Sequence, residues 1–360
     1  MRIALLADAA SIHTVRWVRA LAARGITVEL WSDRPATEVL KVPVHPLPVA
    51  VRGQLNVPNL VYRLRRELHR YAPDLVHAHY VSRYGLYGAL VGHRPLVLSV
   101  WGADVEVFPH ARPWLNGRVL RAIFGQAAAV SASSQYLARV TGQFASCPIE
   151  VIPFGINRQQ FGPQPDGRGP LKWIVNKALE SVYGLDFLIE AWARVGLAKE
   201  WYGRILGEGR DRAILGQRIV QLGLESRITL EGRVSSDLLP KTLAWADVGL
   251  YPSQRESFGV APLEMMALGR SVIANRVGGL EEVVAPEVTG WLVTPNQMDE
   301  WVRVLTQAVE APERLREMGR NGPKWVADRY DFAHNVEQMV ALYHKILSQA
   351  KTLRNQGGVK

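Results

Sequence analysis

The sequence predicts an α/β protein built from two doubly wound, Rossmann-like domains that face each other across a cleft. Three observations predict it. Short apolar runs alternate with helix-length segments, the same rhythm restarts after one Pro/Gly-rich stretch, and the chain has 360 residues, enough for two ordinary domains. Strands that alternate with helices form parallel sheets through right-handed crossovers.

In the first half the apolar runs cover residues 3–7, 26–31, 75–78, 96–100 and 149–152. Residues 14–24 read as the first crossover helix, with Val15, Val18, Leu21 and Ala22 on one face and Gly25 at its end. Residues 161–170 contain three prolines and three glycines and read as a linker. Beyond it the runs are 171–175, 201–206, 228–230, 248–251, 271–274 and 291–293. The expected organisation is therefore a first Rossmann-like domain over 1–162, a linker over 163–170, a second Rossmann-like domain over 171–330, and a C-terminal segment over 331–360. In that last segment Val336, Met339, Val340, Tyr343, Ile346 and Leu347 recur at helical spacing, as in a helix that packs back on the first domain before a polar tail.

Composition narrows the function classes. The single Cys147 closes no intrachain disulfide, and no Cys/His cluster has zinc-ligand spacing, so a reducing cytosol fits and no metal is expected. The first apolar run is too short for a signal peptide, and no stretch reaches the roughly 18 apolar residues of a spanning helix. Membrane contact is then expected to be peripheral, at the cytosolic face. The net charge of +10 is uneven: residues 1–165 hold 18 Lys/Arg and 9 Asp/Glu, the remainder 25 and 24. The basic first half points to an anionic partner such as a phospholipid surface or a phosphorylated acceptor, with general solubility as the plain alternative. Aromatic residues are not interleaved with these charges as in a nucleic-acid recognition motif, so no nucleic-acid partner is expected.

Ligands of doubly wound sheets sit beyond the carboxyl ends of strands. The strongest candidate there is Tyr251-Pro-Ser-Gln-Arg-Glu-Ser-Phe-Gly-Val-Ala-Pro-Leu-Glu-Met-Met-Ala-Leu-Gly269. A strand ends at Tyr251, a polar loop follows, and a helix starts near Val260 with Pro262 in its first turn and Gly269 at its end. The free amides around Phe258, Gly259 and Val260, with the helix dipole, favour an anion such as a diphosphate. Glu256 and Glu264 stand eight positions apart, about 12 Å along a helix axis. That is the scale separating the ribose and the hexose of a nucleotide sugar, although a capped helix with two solvated glutamates would read the same way.

Glu256-Ser-Phe-Gly with Glu264-Met-Met-Ala-Leu-Gly, then Ser271-Val-Ile-Ala, Val277-Gly-Gly and Gly290-Trp-Leu-Val, resembles the signature of glycosyltransferase family four, a group of retaining GT-B enzymes. The resemblance implies that Glu256 contacts the donor sugar, that Glu264 holds the ribose, and that the amides of Ser257, Phe258, Gly259 and Val260 help to hold sugar and phosphate. It also implies a nucleotide diphosphate donor, a leaving diphosphate that acts as base, no divalent metal and no other cofactor. Three further donor-side elements follow from it. The strand and turn from Arg204 to Gly207 belong to the scaffold near the donor, and Arg233 and Val234 match a loop that contacts the base. Lys177, after Asn176, matches a diphosphate-binding arginine. Tyr183 stands where the family has a second cation, and a phenol donates one hydrogen bond and no charge.

On the acceptor side the resemblance points to Ser11, His13 and Arg16 after the first strand, and to the strand end Trp101-Gly-Ala-Asp104, where Trp101 replaces the family's histidine. Trp101 can stack on a sugar face or pack in the core. Asp104 is a candidate for either substrate. His77 reads as packed and His79 as facing the cleft, on opposite sides of their strand, so that they form no metal pair. Residues 60–71 form a helix with Leu60, Leu64, Leu68 and Tyr71 inward and Arg63, Arg66 and Arg70 outward, either an ordinary solvated face or one that rests on anionic lipid. The acceptor expected from this distribution is a lipid-linked or surface-polysaccharide precursor. The alternative is a degenerate GT-B protein that holds a nucleotide sugar without turnover.

Overall fold

The computed structural model describes residues 1–47, 57–167, 169–196, 198 and 200–357. Arg168 of the expected linker and residues 358–360 of the expected tail lie outside the described residues. The chain divides into two compact units, Met1–Phe154 with Ala333–Lys360, and Gly155–Phe332.

The first unit runs β1 (Arg2–Leu6), α1 (Ile12–Ala23), β2 (Thr27–Ser32), β3 (Val44–Pro46), α2 (Val57–Tyr71) and β4 (Leu75–His79). It continues with α3 (Leu86–Val91), β5 (Leu96–Val100), α4 (Ala103–Glu106), α5 (Phe108–Ala111), α6 (Pro113–Phe124), β6 (Ala129–Ala132), α7 (Gln135–Thr141) and β7 (Ile149–Val151). Its seven strands lie in the order β3-β2-β1-β4-β5-β6-β7, every pair parallel. A parallel strand covered by helices on both faces is buried on both, and β4 and β5 are buried at every position. That is why they appear in the sequence as largely apolar runs, broken only by the buried His77, His79 and Ser99. The strands β3 and β6 went unpredicted for the opposite reason: Val-His-Pro and Ala-Val-Ser-Ala are too short and too rich in small or polar residues to stand out.

The second unit runs β8 (Leu171–Asn176), α8 (Leu185–Val195), β9 (Trp201–Leu206), α9 (Arg212–Gln221), β10 (Ile228–Leu230), α10 (Leu239–Ala244) and β11 (Val248–Tyr251). Then come α11 (Val260–Ala267), β12 (Ser271–Asn275), α12 (Leu280–Val283), β13 (Gly290–Val293), α13 (Met298–Glu310) and α14 (Pro312–Arg329), with α15 (Phe332–Gly357) closing the chain. The parallel strand order is β10-β9-β8-β11-β12-β13. On one side of this sheet Trp173, Trp192 and Trp201 stack in the core, Trp173 lying 4.7 Å from Trp201 and 5.6 Å from Trp192 between ring centroids. In each sheet the order reverses once, between β1 and β4 and between β8 and β11. At such a reversal the adjacent loops diverge to opposite faces and leave room for a ligand.

The division between units falls at Phe154/Gly155, ahead of the Pro/Gly-rich stretch. Residues 163–167 are fastened to the second unit: the Gln164 amide donates to the Leu268 carbonyl at 3.0 Å and Arg270 donates to the Pro165 carbonyl at 2.8 Å. Their composition marks a surface loop, whereas the chain changes unit where no composition signal exists. The return passage is at Phe332/Ala333. Next to it, the Ile156 amide donates to the Tyr330 carbonyl at 2.7 Å and the Phe332 amide to the Ile156 carbonyl at 3.1 Å.

From Ala333 onward α15 belongs to the first unit. Asn335 donates to the Pro153 carbonyl at 3.0 Å and Lys345 pairs with Glu150 at 2.9 Å. Deeper, the Tyr343 hydroxyl shares a 2.7 Å hydrogen bond with His77 Nδ1. His77 Nε2 lies 2.7 Å from Ser99 Oγ, which lies 2.5 Å from Ser131 Oγ. This polar row crosses β4, β5 and β6 beneath α15. Burial holds the His77 imidazole neutral, its pKa lowered to about 3.

The row gives a pH dependence whose sign is fixed. The unfolded chain binds a proton at His77 near pH 6.5 and the folded chain near 3, so the stabilisation is complete above pH 6.5 and is lost on acidification toward 3. Urea unfolding of the first unit, measured across that window, is expected to lose roughly 1.4 kcal/mol per pH unit for this histidine. The His77→Gln variant is expected to show a shallower slope.

Candidate functional site

In the second unit, Asn176 and Lys177 leave the end of β8, and the loop 252–258 leaves the end of neighbouring β11. Both therefore sit at the reversal of strand order. Lys177 Nζ lies 2.5 Å from Glu256 Oε2, with side chains only 10% and 15% exposed. The ammonium also lies 5.1 Å from the centroid of the Tyr183 ring and 5.8 Å from that of Tyr251. Next to this pair, Asn176 Nδ2 donates to Glu264 Oε2 at 3.0 Å, and the Tyr251 hydroxyl donates to Asn176 Oδ1 at 2.7 Å. Burial, then Glu264 and Glu256, push the Tyr251 hydroxyl well above its ordinary pKa. It therefore stays protonated and remains a donor. Burial likewise raises that of Tyr183.

Three contacts fix the loop 252–258 that carries Glu256. Gly184, at φ +66°, leaves no room for a side chain because a Cβ there would meet the Pro252 carbonyl oxygen at 2.4 Å. Gly279 backs the other side, where a Cβ would lie 2.4 Å from the Phe258 Cα, and its amide donates to the Glu256 carbonyl at 2.8 Å. Between them stands Asn275, fully buried at the end of β12. Its Nδ2 donates to the carbonyls of Pro252 and Ser253 at 2.8 and 3.0 Å, and its Oδ1 accepts from Trp301 Nε1 at 2.9 Å.

The loop delivers the chain into α11 with Gly259 as cap at φ +117°, no side chain capping the helix and no acidic residue in its first turn. A helix start without a capping group leaves its first amides directed outward, a local anion site flanked here by Lys177. The Phe258 side chain is buried against Tyr330, ring centroids 5.8 Å apart. The backbones of Ser257, Phe258, Gly259 and Val260 are thus what this stretch can offer a ligand.

The structure brings Glu256, Lys177, Glu264, Tyr183 and residues 257–260 together. Gly207 adjoins them through the backbone: its amide donates to the Gly232 carbonyl at 3.0 Å, and the Lys177 amide donates to the Leu206 carbonyl at 3.1 Å. Arg233 and Val234 follow Gly232, with Arg233 exposed. Arg204 is held away from the strand ends: it sits inside β9, pairs with Glu231 at 3.1 Å and stacks on Trp245 at 3.9 Å. Asn275 and Tyr251 were not identified as site residues from sequence. An amide at the end of an otherwise apolar strand, four residues before Gly279, is the signal that points to Asn275.

In the first unit Ser11 precedes α1 without capping it, and His13 and Arg16 lie on that helix. His13 stacks on Phe154 at 4.5 Å and meets Trp101 edge-on at 5.9 Å. Burial, then Arg16, lower the His13 pKa to about 4. His77 and His79 occupy the same face of β4, with ring centroids 4.6 Å apart, because residues two apart on a strand share a face. The expectation of opposite faces was wrong. His79 is buried rather than open, packs 4.6 Å from Trp101, and its pKa is depressed by burial and by His77 and His13. Trp101 thus packs among aromatic rings.

Asp104 is fully buried as well. It accepts from the amides of Gly102 at 2.8 Å and Val81 at 2.9 Å, and burial raises its pKa to about 6 against those hydrogen bonds. It braces the turns after β4 and β5 and has no surface to offer a substrate. Among the described residues no helix is long and apolar enough to cross a membrane.

Residues 160–325 match the family model described as Glycosyl transferases group 1, and residues 2–134 match Glycosyl transferase 4-like. The chain is 28% identical over 224 residues to MMP alpha-(1->4)-mannosyltransferase of Mycolicibacterium hassiacum, covering 61% of this chain and 54% of that protein. The chain thus spans about half the length of this relative. It is 25% identical over 329 residues to the GDP-mannose-dependent alpha-(1-6)-phosphatidylinositol monomannoside mannosyltransferase of Mycolicibacterium smegmatis, covering 84% of each. An Anabaena protein solved in complex with UDP-glucose shares the fold with a TM-score of 0.81 and 21% identity, over 96% of this chain and all of that one.

The loop clamp is testable by itself. Asn275→Ala leaves two buried carbonyls and the Trp301 indole without partners, at about 1–3 kcal/mol for each group. Chemical denaturation of the second unit is expected to show a loss of several kcal/mol, and limited proteolysis is expected to cut near residues 252–258 in the variant only.

Proposed function

Because the chain belongs to the glycosyl transferases group 1 family of GT-B glycosyltransferases, we propose that its second unit binds a nucleotide diphosphate sugar and that the protein transfers the sugar, with retention and without a metal, to a carbohydrate or lipid-linked acceptor. The observation that carries this reading is the grouping of Lys177, Glu256 and Glu264 around the uncapped start of α11. The diphosphate lies on the amides of residues 259–261, where the helix dipole favours its charge. Glu264, already oriented by Asn176, accepts from ribose hydroxyls, and Glu256 accepts from a hydroxyl of the sugar.

The Lys177–Glu256 pair is central to the chemistry. In the free protein each neutralises the other. Once the donor is bound, the ammonium turns to the diphosphate and stabilises the negative charge that grows as the glycosidic C–O bond breaks. Tyr183 contributes a neutral hydroxyl beside that charge. The departing diphosphate oxygen takes the proton from the acceptor hydroxyl as the new bond forms on the same face of the sugar. The acceptor groups come from the first unit, with Ser11, His13 and Arg16 as its contributors. The Anabaena complex supports UDP as a nucleotide for this site, whereas the mannosyltransferase relative is named for GDP-mannose and a phosphatidylinositol acceptor. A lipid-linked acceptor agrees with the basic first half of this chain.

A screen of UDP- and GDP-sugars, read as donor turnover and product anomer, tests the reading. Glu256→Gln is expected to lower kcat by at least about a hundredfold while nucleotide affinity changes little. Glu264→Ala is expected to weaken nucleotide binding by about ten- to a hundredfold. Chelation with EDTA is expected to leave turnover unchanged. Nucleotide-sugar binding with no turnover under any donor would instead support a protein that holds the sugar without transferring it.

A further inference from the structure

Asn176 and Tyr251 stand side by side at the reversal of strand order in the second sheet. Gly249 pairs with Ile174 across β11 and β8, and each strand runs two residues further, to Tyr251 and to Asn176. Tyr251 is fully buried. Its ring lies over Gly249, where a Cβ would meet the ring Cε2 at 2.9 Å, so the missing side chain two residues back gives the ring its place.

An amide side chain can present either its oxygen or its nitrogen to a neighbour. At Asn176 two demands select the same orientation. The Tyr251 hydroxyl, kept protonated by burial and then by Glu264 and Glu256, donates to Asn176 Oδ1 at 2.7 Å. That directs Nδ2 at Glu264 Oε2, to which it donates at 3.0 Å. Turned over, the amide would set its oxygen against a carboxylate oxygen and take from the buried phenol its acceptor. The Glu264 carboxylate, on α11, is thus held from the core of the sheet through one amide.

A held carboxylate and a loose one treat a ribose differently. A loose one returns to water when a ligand hydroxyl is missing, so the loss is small. A pinned one is left ionised, part-buried and short of a donor, and a site built around a substrate hydroxyl strongly rejects the analogue that lacks it. A side chain already in place also gives up less rotamer freedom when the ligand arrives.

We propose that Tyr251 and Asn176 are positioning residues that make the site selective for a nucleoside diphosphate with an intact ribose, by pinning Glu264 against its hydroxyls. This rests on the reading that Glu264 accepts from the ribose.

Calorimetric binding of UDP and GDP to the full chain, each against its 2′-deoxy form, tests the proposal. The wild type is expected to prefer the ribonucleotide by about tenfold to a hundredfold, the range of a hydrogen bond to a charged group. Asn176→Ala is expected to lower that preference about tenfold, through weaker ribonucleotide binding with the deoxy form little changed. Tyr251→Phe is expected to lower it by a smaller factor, because the amide is then free to turn over. In a Glu264→Gln background, Asn176→Ala is expected to add nothing. Asn176→Ala alone strands the buried Tyr251 hydroxyl, whereas the double variant with Tyr251→Phe removes both partners. The double variant is therefore expected to regain stability to urea while its preference stays low. Preference that recovers together with stability would overturn the proposal, as would a wild type that binds both forms equally, or Asn176→Ala with its preference intact where Glu264→Gln has lost it. No binding of either nucleotide by the wild type, or unchanged ribonucleotide binding in Glu264→Gln, would count against the donor site itself and this proposal with it.

Discussion

The fixed path of residues 252–258 is the constraint on which the site depends. Glu256 and Glu264 are useful to one ligand only if the backbone leading through Glu256 turns at a set angle into α11. Neighbouring elements hold the loop on that path. Gly184 and Gly279 close on it from two sides at distances that exclude any Cβ, and the Asn275 amide ties two of its carbonyls to the core while anchoring itself on Trp301. Buried amide groups are costly when unpaired and strongly directional when paired, so the loop has one low-energy path. Around that path Lys177 and Asn176 arrive from β8 because β8 and β11 are neighbours at the sheet's reversal.

The two units deploy polar groups in their cores differently. In the second unit two polar side chains at the strand ends orient others beside the loop: Asn176 donates to Glu264, and Tyr251 donates to Asn176. In the first unit His77, Ser99, Ser131 and Tyr343 form a row under α15 that fastens the last helix to the sheet. Asp104 likewise faces backbone amides and not a ligand. Perturbed proton affinity is therefore a poor guide to function here. The shifted His77, His79 and Asp104 are structural, and the donor-side groups proposed to act are placed by hydrogen bonds and by one ion pair.

Much of the fold was legible in the sequence because parallel strands buried on both faces leave largely apolar runs, as in β1, β5 and β11. The strands β3 and β6 were not, since three residues or a run of small ones carry no such signal. The unit boundary was misplaced because Pro and Gly report local turns, whereas Phe154 and Gly155 carry no mark of the change. Glu256 and Glu264 could be proposed from one loop-helix segment, and Lys177 from its resemblance to a family motif at a strand end, and the fold brings Lys177 to Glu256. Asn275 could not, because its role depends on β12 lying beside β11. Arg204, His79 and Asp104 were expected near ligands from their positions at or near strand ends. Their side chains are instead engaged by Glu231 and Trp245, by an aromatic cluster, and by backbone amides, partners that sequence order does not reveal.

The central claim, that a nucleotide diphosphate lies on the start of α11 between Glu256 and Glu264, is tested most directly by backbone amide exchange with and without UDP or GDP. The account predicts slowed exchange confined to residues 257–264 and the turns after β8 and β9. Unchanged exchange at residues 257–264, with protection appearing elsewhere on binding of the nucleotide, would contradict it.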